Sequence, residues 1–159
     1  MVSVQIAVTG GTGHLGHCLI QNLLKQGYLV TALYRKSIPE FEHSNLSWIQ
    51  GDITDHVSLE LLVEKASVMI HCASLISIGD QDEKEVYRIN VDGTKTILKA
   101  CQDKKIRLIY ISSSVAVKET INTLIYDENR PYKTEKDFSY DWTKALSERL
   151  VLRDIKERG

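Results

Sequence analysis

Residues 5–16 have the sequence QIAVTGGTGHLG, an apolar run that breaks into a glycine-rich turn. The run over 5–9 predicts a buried strand, and the pattern from Leu15 onward predicts a helix directly after the turn. Gly10, Gly13 and Gly16 would allow a tight turn, a close approach of the backbone to a pyrophosphate, and close packing of helix on strand. The free N–H groups at the helix start suit the phosphates. Because the glycines lie between strand and helix, the stretch predicts a dinucleotide-binding turn, the alternative being an ordinary glycine turn.

Apolar runs alternate with helical patterns along the rest of the chain. Further strands are predicted over 28–34, 46–50, 68–72 and 106–112, and helices over 15–26, 57–65, 83–102 and 139–157. The polar segment 118–137 predicts a long loop. This alternation predicts right-handed β-α-β units and an α/β fold built on a doubly wound parallel sheet.

Length and composition indicate one globular domain over residues 1–159. The chain has 43% hydrophobic and 26% charged residues and a net charge of -1, without a basic block that would indicate nucleic-acid binding. No apolar run reaches the ~18 residues of a membrane span, and we expect no signal peptide. Cys18, Cys72 and Cys101 have unrelated spacings, so we expect no metal site and no disulfide, but reduced core thiols in a cytoplasmic protein.

The end of the second predicted strand bears on the choice of nucleotide. NAD-binding domains usually place an acidic residue there, which accepts hydrogen bonds from the ribose hydroxyls. This chain has Arg35 and Lys36 instead. A guanidinium suits a 2′-phosphate by charge and by geometry, so the sequence favours NADP(H) over NAD(H). The alternative is a pair of solvated loop cations.

Tyr140 and Lys144 are four residues apart on the last predicted helix, so the phenol and the ammonium share one face. A neighbouring cation lowers the pKa of a phenol and brings it toward useful acid–base strength. Taken alone, the pair could equally belong to a solvated helix face.

Six segments together resemble the extended short-chain dehydrogenase/reductase family, which includes dihydroflavonol-type reductases and nucleotide-sugar epimerases and dehydratases. The segments cover nearly the whole chain and match in order and spacing: 9–16, 51–53, 70–74, 90–94, 111–114 and 140–148. The resemblance implies a Rossmann fold that binds NAD(P). Family members continue well beyond the last helix, so we expect a sheet that lacks its last strand and a chain that lacks the C-terminal substrate domain.

The resemblance also implies site residues. Asp52 would accept a hydrogen bond from the adenine amino group, with Ile53 packed on the ring; the alternative for Asp52 is a turn residue. Asn90 would steady the adjoining strands. Residues 72–74 would pass under the riboses. The residues expected to bind the cofactor are Gly10, Thr12, Gly13, His14, Leu15, Gly16, Arg35, Lys36, Asp52, Ile53, Cys72, Ala73, Ser74, Asn90, Tyr140 and Lys144.

The implied catalytic residues are Ser114, Tyr140 and Lys144. Ser114, or Ser113 if the register of the triple serine differs by one, would hydrogen-bond the substrate oxygen. Tyr140 would exchange the proton that accompanies hydride transfer, and Lys144 would hold the nicotinamide ribose. The hydride itself belongs to the cofactor. The alternative for the serines is hydroxyl capping of the strand end.

Two functions follow from this pattern. The first is an NADP(H)-dependent oxidoreductase acting at a carbonyl or carbinol carbon of a small molecule, as a reductase, epimerase or dehydratase. The second is a non-catalytic dinucleotide-binding module or an inactive truncated remnant. Trp142, and Val115 after the serines, depart from the family pattern and leave the substrate open. The last helix carries apolar residues on one side, which predicts either a homodimer through the two long helices or packing on its own sheet; these residues are Leu146, Leu150, Val151 and Ile155.

Overall fold

The computed structural model describes residues 4–76, 82–119, 127, 129–134 and 139–158. The strands are β1 (Gln5–Thr9), β2 (Leu29–Tyr34), β3 (Leu46–Gln50), β4 (Val68–His71) and β5 (Arg107–Tyr110). The helices are α1 (His14–Lys25), α2 (His56–Val63), α3 (Glu83–Tyr87), α4 (Gly93–Lys104) and α5 (Ser139–Arg158). A π-helical segment, Arg88–Asp92, joins α3 to α4, and a 3-10 turn spans Ser114–Ala116.

The five strands form one parallel sheet in the order β3-β2-β1-β4-β5. The chain runs outward from β1 to β3 and then returns to place β4 on the other side of β1. The predicted doubly wound α/β fold is therefore confirmed, with the strand order reversing between β1 and β4. In such sheets, ligands bind in the crevice beyond the carboxyl ends of the strands at the reversal.

Two apolar layers cover the two faces of the sheet. Because successive side chains of a strand point to opposite faces, β1 supplies Ala7 to one layer and Val8 to the other. The first layer packs against α2 and α4 and includes Leu59, Leu62, Met69 and Ile97. The second packs against α1 and includes Ile20, Leu24, Val30 and Ile70. Each fully buried side chain of this size contributes about 1.5–3 kcal/mol, so the two layers fix the strands from which the site is built.

Most predicted elements lie within one or two residues of those observed, and the predicted helix over 83–102 is continuous except for its π-helical segment. Backbone hydrogen bonds pair part of the predicted loop over 118–137 with the segment that precedes it. Val117 and Tyr132 form an antiparallel bridge, and the amides of Lys118 and Lys133 donate to the carbonyls of Pro131 and Ala116. No helix in the described ranges has both the length and the apolar character to cross a membrane.

Two expectations from the sequence are wrong in detail. Cys18 is exposed, because α1 turns Ile20 and Leu24, not Cys18, toward the sheet; of the three thiols only Cys101 lies in the core. The alternative that α5 packs on its own sheet through Leu146, Leu150, Val151 and Ile155 is not met, because none of these four residues is fully buried. The buried face of α5 consists of Thr143, Lys144, Ala145 and Ser147, while Ile155 is 59% exposed.

Candidate functional site

A cleft opens at the carboxyl ends of β1, β2 and β4, where the strand order reverses. Nine of the residues expected to bind the cofactor line it: Gly10, Thr12, Gly13, Arg35, Asp52, Ile53, Cys72, Ala73 and Ser74. Five other lining residues are not among those expected to bind the cofactor: Leu33, Tyr34, Gly51, Leu75 and Ile89. Leu33 and Tyr34 directly precede Arg35, which is a usable signal, whereas Ile89 reaches the cleft only through tertiary packing. The remaining expected residues do not line the cleft: His14, Leu15, Gly16, Lys36, Asn90, Tyr140 and Lys144.

The three glycines of the turn have two different roles. At Gly10 and Gly16 the fold requires the absence of a side chain, whereas at Gly13 the missing side chain leaves room in the cleft. Gly10 has φ +72°, and a Cβ there would lie 2.6 Å from the Ala73 nitrogen. A Cβ on Gly16 would lie 2.1 Å from the Gly10 carbonyl oxygen. On Gly13, the nearest heavy atom to an added Cβ is that same oxygen at 3.3 Å. Gly10 and Gly16 therefore allow backbone segments to touch, while Gly13 leaves its side of the turn open to the cleft.

Gly13 is also the N-cap residue of α1. It offers no side chain to the first turn of the helix, and that turn contains no acidic residue. The N–H groups at a helix start have no partner within the helix, and the helix dipole places partial positive charge there. The turn and the helix start together form a concave surface suited to a phosphate group.

Arg35 and Asp52 lie at the β2 end of the cleft. Lys36 is exposed and does not line the cleft. Burial opposes ionisation of Asp52, but hydrogen bonds from Thr54 and the charges of Arg88 and Arg35 outweigh it and lower its pKa. The cleft therefore presents one carboxylate and one guanidinium side by side at the end distant from β5.

Asn90 holds the opposite wall in place. Its buried amide oxygen accepts from the backbone N–H of Leu75 at 2.7 Å and from the Ser74 hydroxyl at 3.1 Å. Its amide nitrogen donates to the Leu75 carbonyl and to the Thr143 hydroxyl, both at 3.0 Å. One side chain thus ties the segment after β4 to α5. The expectation that Asn90 steadies adjoining elements agrees with these bonds, which are all made to protein atoms.

His71, the last residue of β4, connects the end of β1 to the start of α4. The Thr9 hydroxyl and the Nδ1 atom of His71 are 2.7 Å apart, and Nε2 lies 3.4 Å from the Thr94 hydroxyl. The Thr94 hydroxyl donates to the Asn90 carbonyl at 2.6 Å, so it accepts from His71, which places the ring proton on Nε2. Burial, with a smaller effect of the Lys144 charge, lowers the pKa of His71 to about 3. The imidazole is therefore neutral at pH 7.

Lys144 is buried beneath the end of β5, on the side facing β4. Its Nζ donates to the Ile111 carbonyl at 2.6 Å and lies 4.5 Å from the centre of the Tyr110 ring. Burial lowers the pKa of Lys144 to about 8, partly offset by the charge of Glu148. Lys144 also acts electrostatically on the Cys72 thiol, whose pKa burial raises. This ammonium therefore lies near the Cys72 end of the cleft.

The other proposed catalytic residues surround this end. Tyr140 is half-buried in the first turn of α5, and Ser114, at the start of the 3-10 turn, is exposed, whereas Ser113 is half-buried. Within the described part of the chain, no hydrogen bond joins Tyr140, Ser113 or Ser114 to Lys144. The structure thus brings the three segments to one end of the sheet without a direct bond among their side chains.

Glu148 is a residue that the sequence did not single out. Its carboxylate accepts from the Ser112 hydroxyl and, at 3.0 Å, from the Tyr132 hydroxyl. A second link, 2.6 Å between Lys133 and Asp141, joins the same segment to the start of α5. No periodicity signals such contacts, because they link residues that are distant in sequence. They fix the helix that carries Tyr140 and Lys144 against the end of β5.

Comparisons with known proteins match nearly the whole chain. Residues 7–156 match the model of the 3-beta hydroxysteroid dehydrogenase/isomerase family. The chain is 32% identical to the 3-beta-hydroxysteroid dehydrogenase of Mycolicibacterium neoaurum, over 98% of this chain and 44% of that protein. It is 31% identical to the decarboxylating sterol-4-alpha-carboxylate 3-dehydrogenase of Bos taurus, over 91% of this chain and 40% of that one.

A solved structure has the same fold. The Bordetella bronchiseptica enzyme WbmG in complex with NAD and UDP superposes with a TM-score of 0.81 and 25% sequence identity, over 94% of this chain and 49% of that enzyme. The chain therefore spans less than half the length of the curated relatives named above, and about half of WbmG.

Proposed function

The chain belongs to the 3-beta hydroxysteroid dehydrogenase/isomerase family, within the extended short-chain dehydrogenases/reductases, and we propose that it is the nucleotide-binding part of an NADP(H)-dependent oxidoreductase. Its reaction would be hydride transfer at a carbonyl or carbinol carbon of a small molecule. The observation that carries the proposal is the bare surface at Gly13. A Cβ there meets only the Gly10 oxygen, so the turn is open where a pyrophosphate would approach. A base and a ribose would bind between the two faces of the cleft.

The preference for NADP(H) rests on Arg35. Its side chain lines the cleft at the end of β2, where a 2′-phosphate would be read, and the second strand ends without an acidic residue. A guanidinium presents several N–H donors in a fixed plane, which suits phosphate oxygens. Calorimetric titration with NADPH and NADH tests the preference. Arg35→Met should weaken NADPH binding about tenfold or more while changing NADH binding little. Tighter binding of NADH by the wild-type chain would overturn the preference.

Lys144 and Tyr140 would provide the protein's part of the chemistry. When bound, the nicotinamide supplies or accepts the hydride. The buried ammonium of Lys144 would hold the nicotinamide ribose and stabilise negative charge on a neighbouring phenol. Tyr140 would give a proton to the substrate oxygen or take one from it, and Ser114, with Ser113 as the alternative, would hydrogen-bond that oxygen. The two relatives named above are, by their names, dehydrogenases of the 3-position of steroids and sterols, which makes a cyclic secondary alcohol or ketone the first substrate class to test.

Turnover with such substrates separates the two candidate functions. The chain would be mixed with NADPH and a panel of ketones, 3-oxosteroids and nucleotide sugars, and absorbance would be followed for the wild type and for Tyr140→Phe. Turnover that disappears in Tyr140→Phe supports the oxidoreductase. Binding of the nucleotide without turnover supports a non-catalytic dinucleotide-binding module.

A homodimer is the proposed assembly. The groove between α5 and the preceding helical stretch is lined by Tyr87, Val91, Leu146 and Leu150 and by the cations Lys95, Arg149 and Arg153. Its apolar part is the face through which two copies would pair. Sedimentation velocity over a range of concentrations tests it. A profile that stays monomeric at high concentration would contradict the dimer.

A further inference from the structure

The base end of the cleft contains a chain of contacts that continues away from Asp52. The Oδ1 atom of Asp52 accepts from the backbone N–H of Thr54 at 2.9 Å and from its hydroxyl at 2.8 Å. The same hydroxyl oxygen accepts from Nη1 of Arg88 at 2.6 Å. Nε and Nη2 of Arg88 donate to the two carboxylate oxygens of Glu85 at 2.7 and 2.8 Å. Thr54 thus connects a residue that lines the cleft to an ion pair that does not.

The direction of these bonds fixes the Asp52 carboxylate. A threonine hydroxyl has one hydrogen, and an N–H from Arg88 occupies a lone pair of the Thr54 oxygen, so the Thr54 hydrogen is directed to Asp52. Glu85 holds the guanidinium through a forked pair of charge-assisted bonds, which restricts its rotation. The Oδ1 atom of Asp52 therefore receives two donors, and Arg88, 3.8 Å away, adds positive charge.

A carboxylate held in this way discriminates between purines. Ionised Asp52 can only accept hydrogen bonds, so it attracts an exocyclic amino group and repels a carbonyl oxygen at the same position. We propose that Glu85 and Arg88 form a positioning pair that orients Asp52 through Thr54. The family resemblance already implies a hydrogen bond from the adenine amino group to Asp52, and the pair would increase the selectivity of Asp52 for such an amino-bearing purine. The inference deepens the proposed function and rests on nucleotide binding in this cleft.

The experiment compares two dinucleotides that differ at one position of the base. Calorimetric titration would give the Kd of the chain for NADPH and for reduced nicotinamide hypoxanthine dinucleotide phosphate, in which an oxygen replaces the 6-amino group. A hydrogen bond to a charged acceptor corresponds to about tenfold or more in affinity, so the wild type should prefer adenine by about that factor. Arg88→Met and Thr54→Val should each reduce the preference to about threefold or less.

Lys95 provides a matched control. It forms an ion pair with Asp92 at 2.8 Å. The two residues are three positions apart, as Glu85 and Arg88 are, and they lie further along the same helical stretch. Neither Lys95 nor Asp92 lines the cleft. Lys95→Met should therefore keep the wild-type ratio of the two Kd values. A merely structural role of Arg88 would weaken both nucleotides together and leave that ratio unchanged.

The outcomes separate this inference from the proposed function. If neither nucleotide binds to the wild type, the proposed function fails, and the inference fails with it. If both bind equally to the wild type, Asp52 does not read the base and the inference is wrong. If the wild type prefers adenine and Arg88→Met keeps the full preference, the positioning pair is refuted while nucleotide binding stands.

Discussion

Acidification from pH 7 to pH 5 should destabilise the protein through His71. In the folded chain the pKa of this buried imidazole is lowered to about 3, first by burial and then by the charge of Lys144. In the unfolded chain a histidine titrates near 6.5. Between these values the unfolded state binds one more proton than the folded state. Stability is therefore complete above about pH 6.5 and is lost progressively as the pH falls toward 3.

The size of the loss follows from the two pKa values. Linkage gives about 1.4 kcal/mol per pH unit where the unfolded histidine is protonated and the folded one is not. Integrated from pH 7 to pH 5, the free energy of unfolding should decrease by about 2 kcal/mol. The lowered pKa values of Asp52 and Asp55 start from 3.8 and so act mainly below this window. Lys144, with a pKa of about 8, is protonated in both states there.

Urea denaturation at pH 7, 6 and 5 measures the loss. His71→Gln keeps a donor near Thr94 but does not titrate, so its stability should be lower at pH 7 and nearly flat down to pH 5. The exposed His43 provides the control, since His43→Gln should keep the slope of the wild type. If His71→Gln does not fold, the ring resonances of His71 in the wild type give the same test by NMR. A resonance that titrates near pH 6.5, or equal slopes in wild type and His71→Gln, would refute the argument.

Four further variants test the glycine turn, the wall of the cleft and the buried lysine. Gly16→Ala should lower the free energy of unfolding by about 1–3 kcal/mol or more, because its Cβ would overlap the Gly10 carbonyl. Gly13→Val should keep its secondary structure and lose NADPH affinity in calorimetry. An unchanged NADPH affinity of Gly13→Val would contradict the placement of the phosphates. Asn90→Ala removes bonds to Leu75 and Thr143 and leaves the partly buried backbone N–H and carbonyl of Leu75 without this partner. Urea denaturation should show a loss of about 1–3 kcal/mol. A loss below about 0.5 kcal/mol would refute this role. For Lys144, a folded pKa of about 8 against about 10.5 unfolded means that the unfolded chain binds more protons between these values. Lys144 should thus add a rise of about 1 kcal/mol from pH 8 to pH 9, which the raised pKa values of the Cys72 and Cys101 thiols oppose. Stability should therefore change more favourably over this interval in the wild type than in Lys144→Met, by about that amount.

Local patterns predicted the parts of the site that are contiguous in the chain. The glycine turn between β1 and α1, the cations after β2 and Asp52 after β3 could be placed at one sheet edge, because the carboxyl ends of parallel strands meet there. Patterns failed where burial depended on the partner surface. The apolar residues of α5 suggested its buried side, yet the helix packs through Thr143, Ala145 and Ser147, because hydroxyl hydrogen bonds to the neighbouring helix satisfy that face.

By itself, the amino-acid sequence determined the alternation of strands and helices, the parallel sheet and the turn that opens the first helix, since each depends on spacings within a few residues. Tertiary structure alone decided which glycine faces the cleft, which tautomer His71 adopts and which residues hold Asp52. Those properties depend on distances between segments that lie far apart in the chain, such as Thr54 and Arg88. The physical reason is that burial and hydrogen-bond partners belong to the packed molecule, and no local periodicity encodes them.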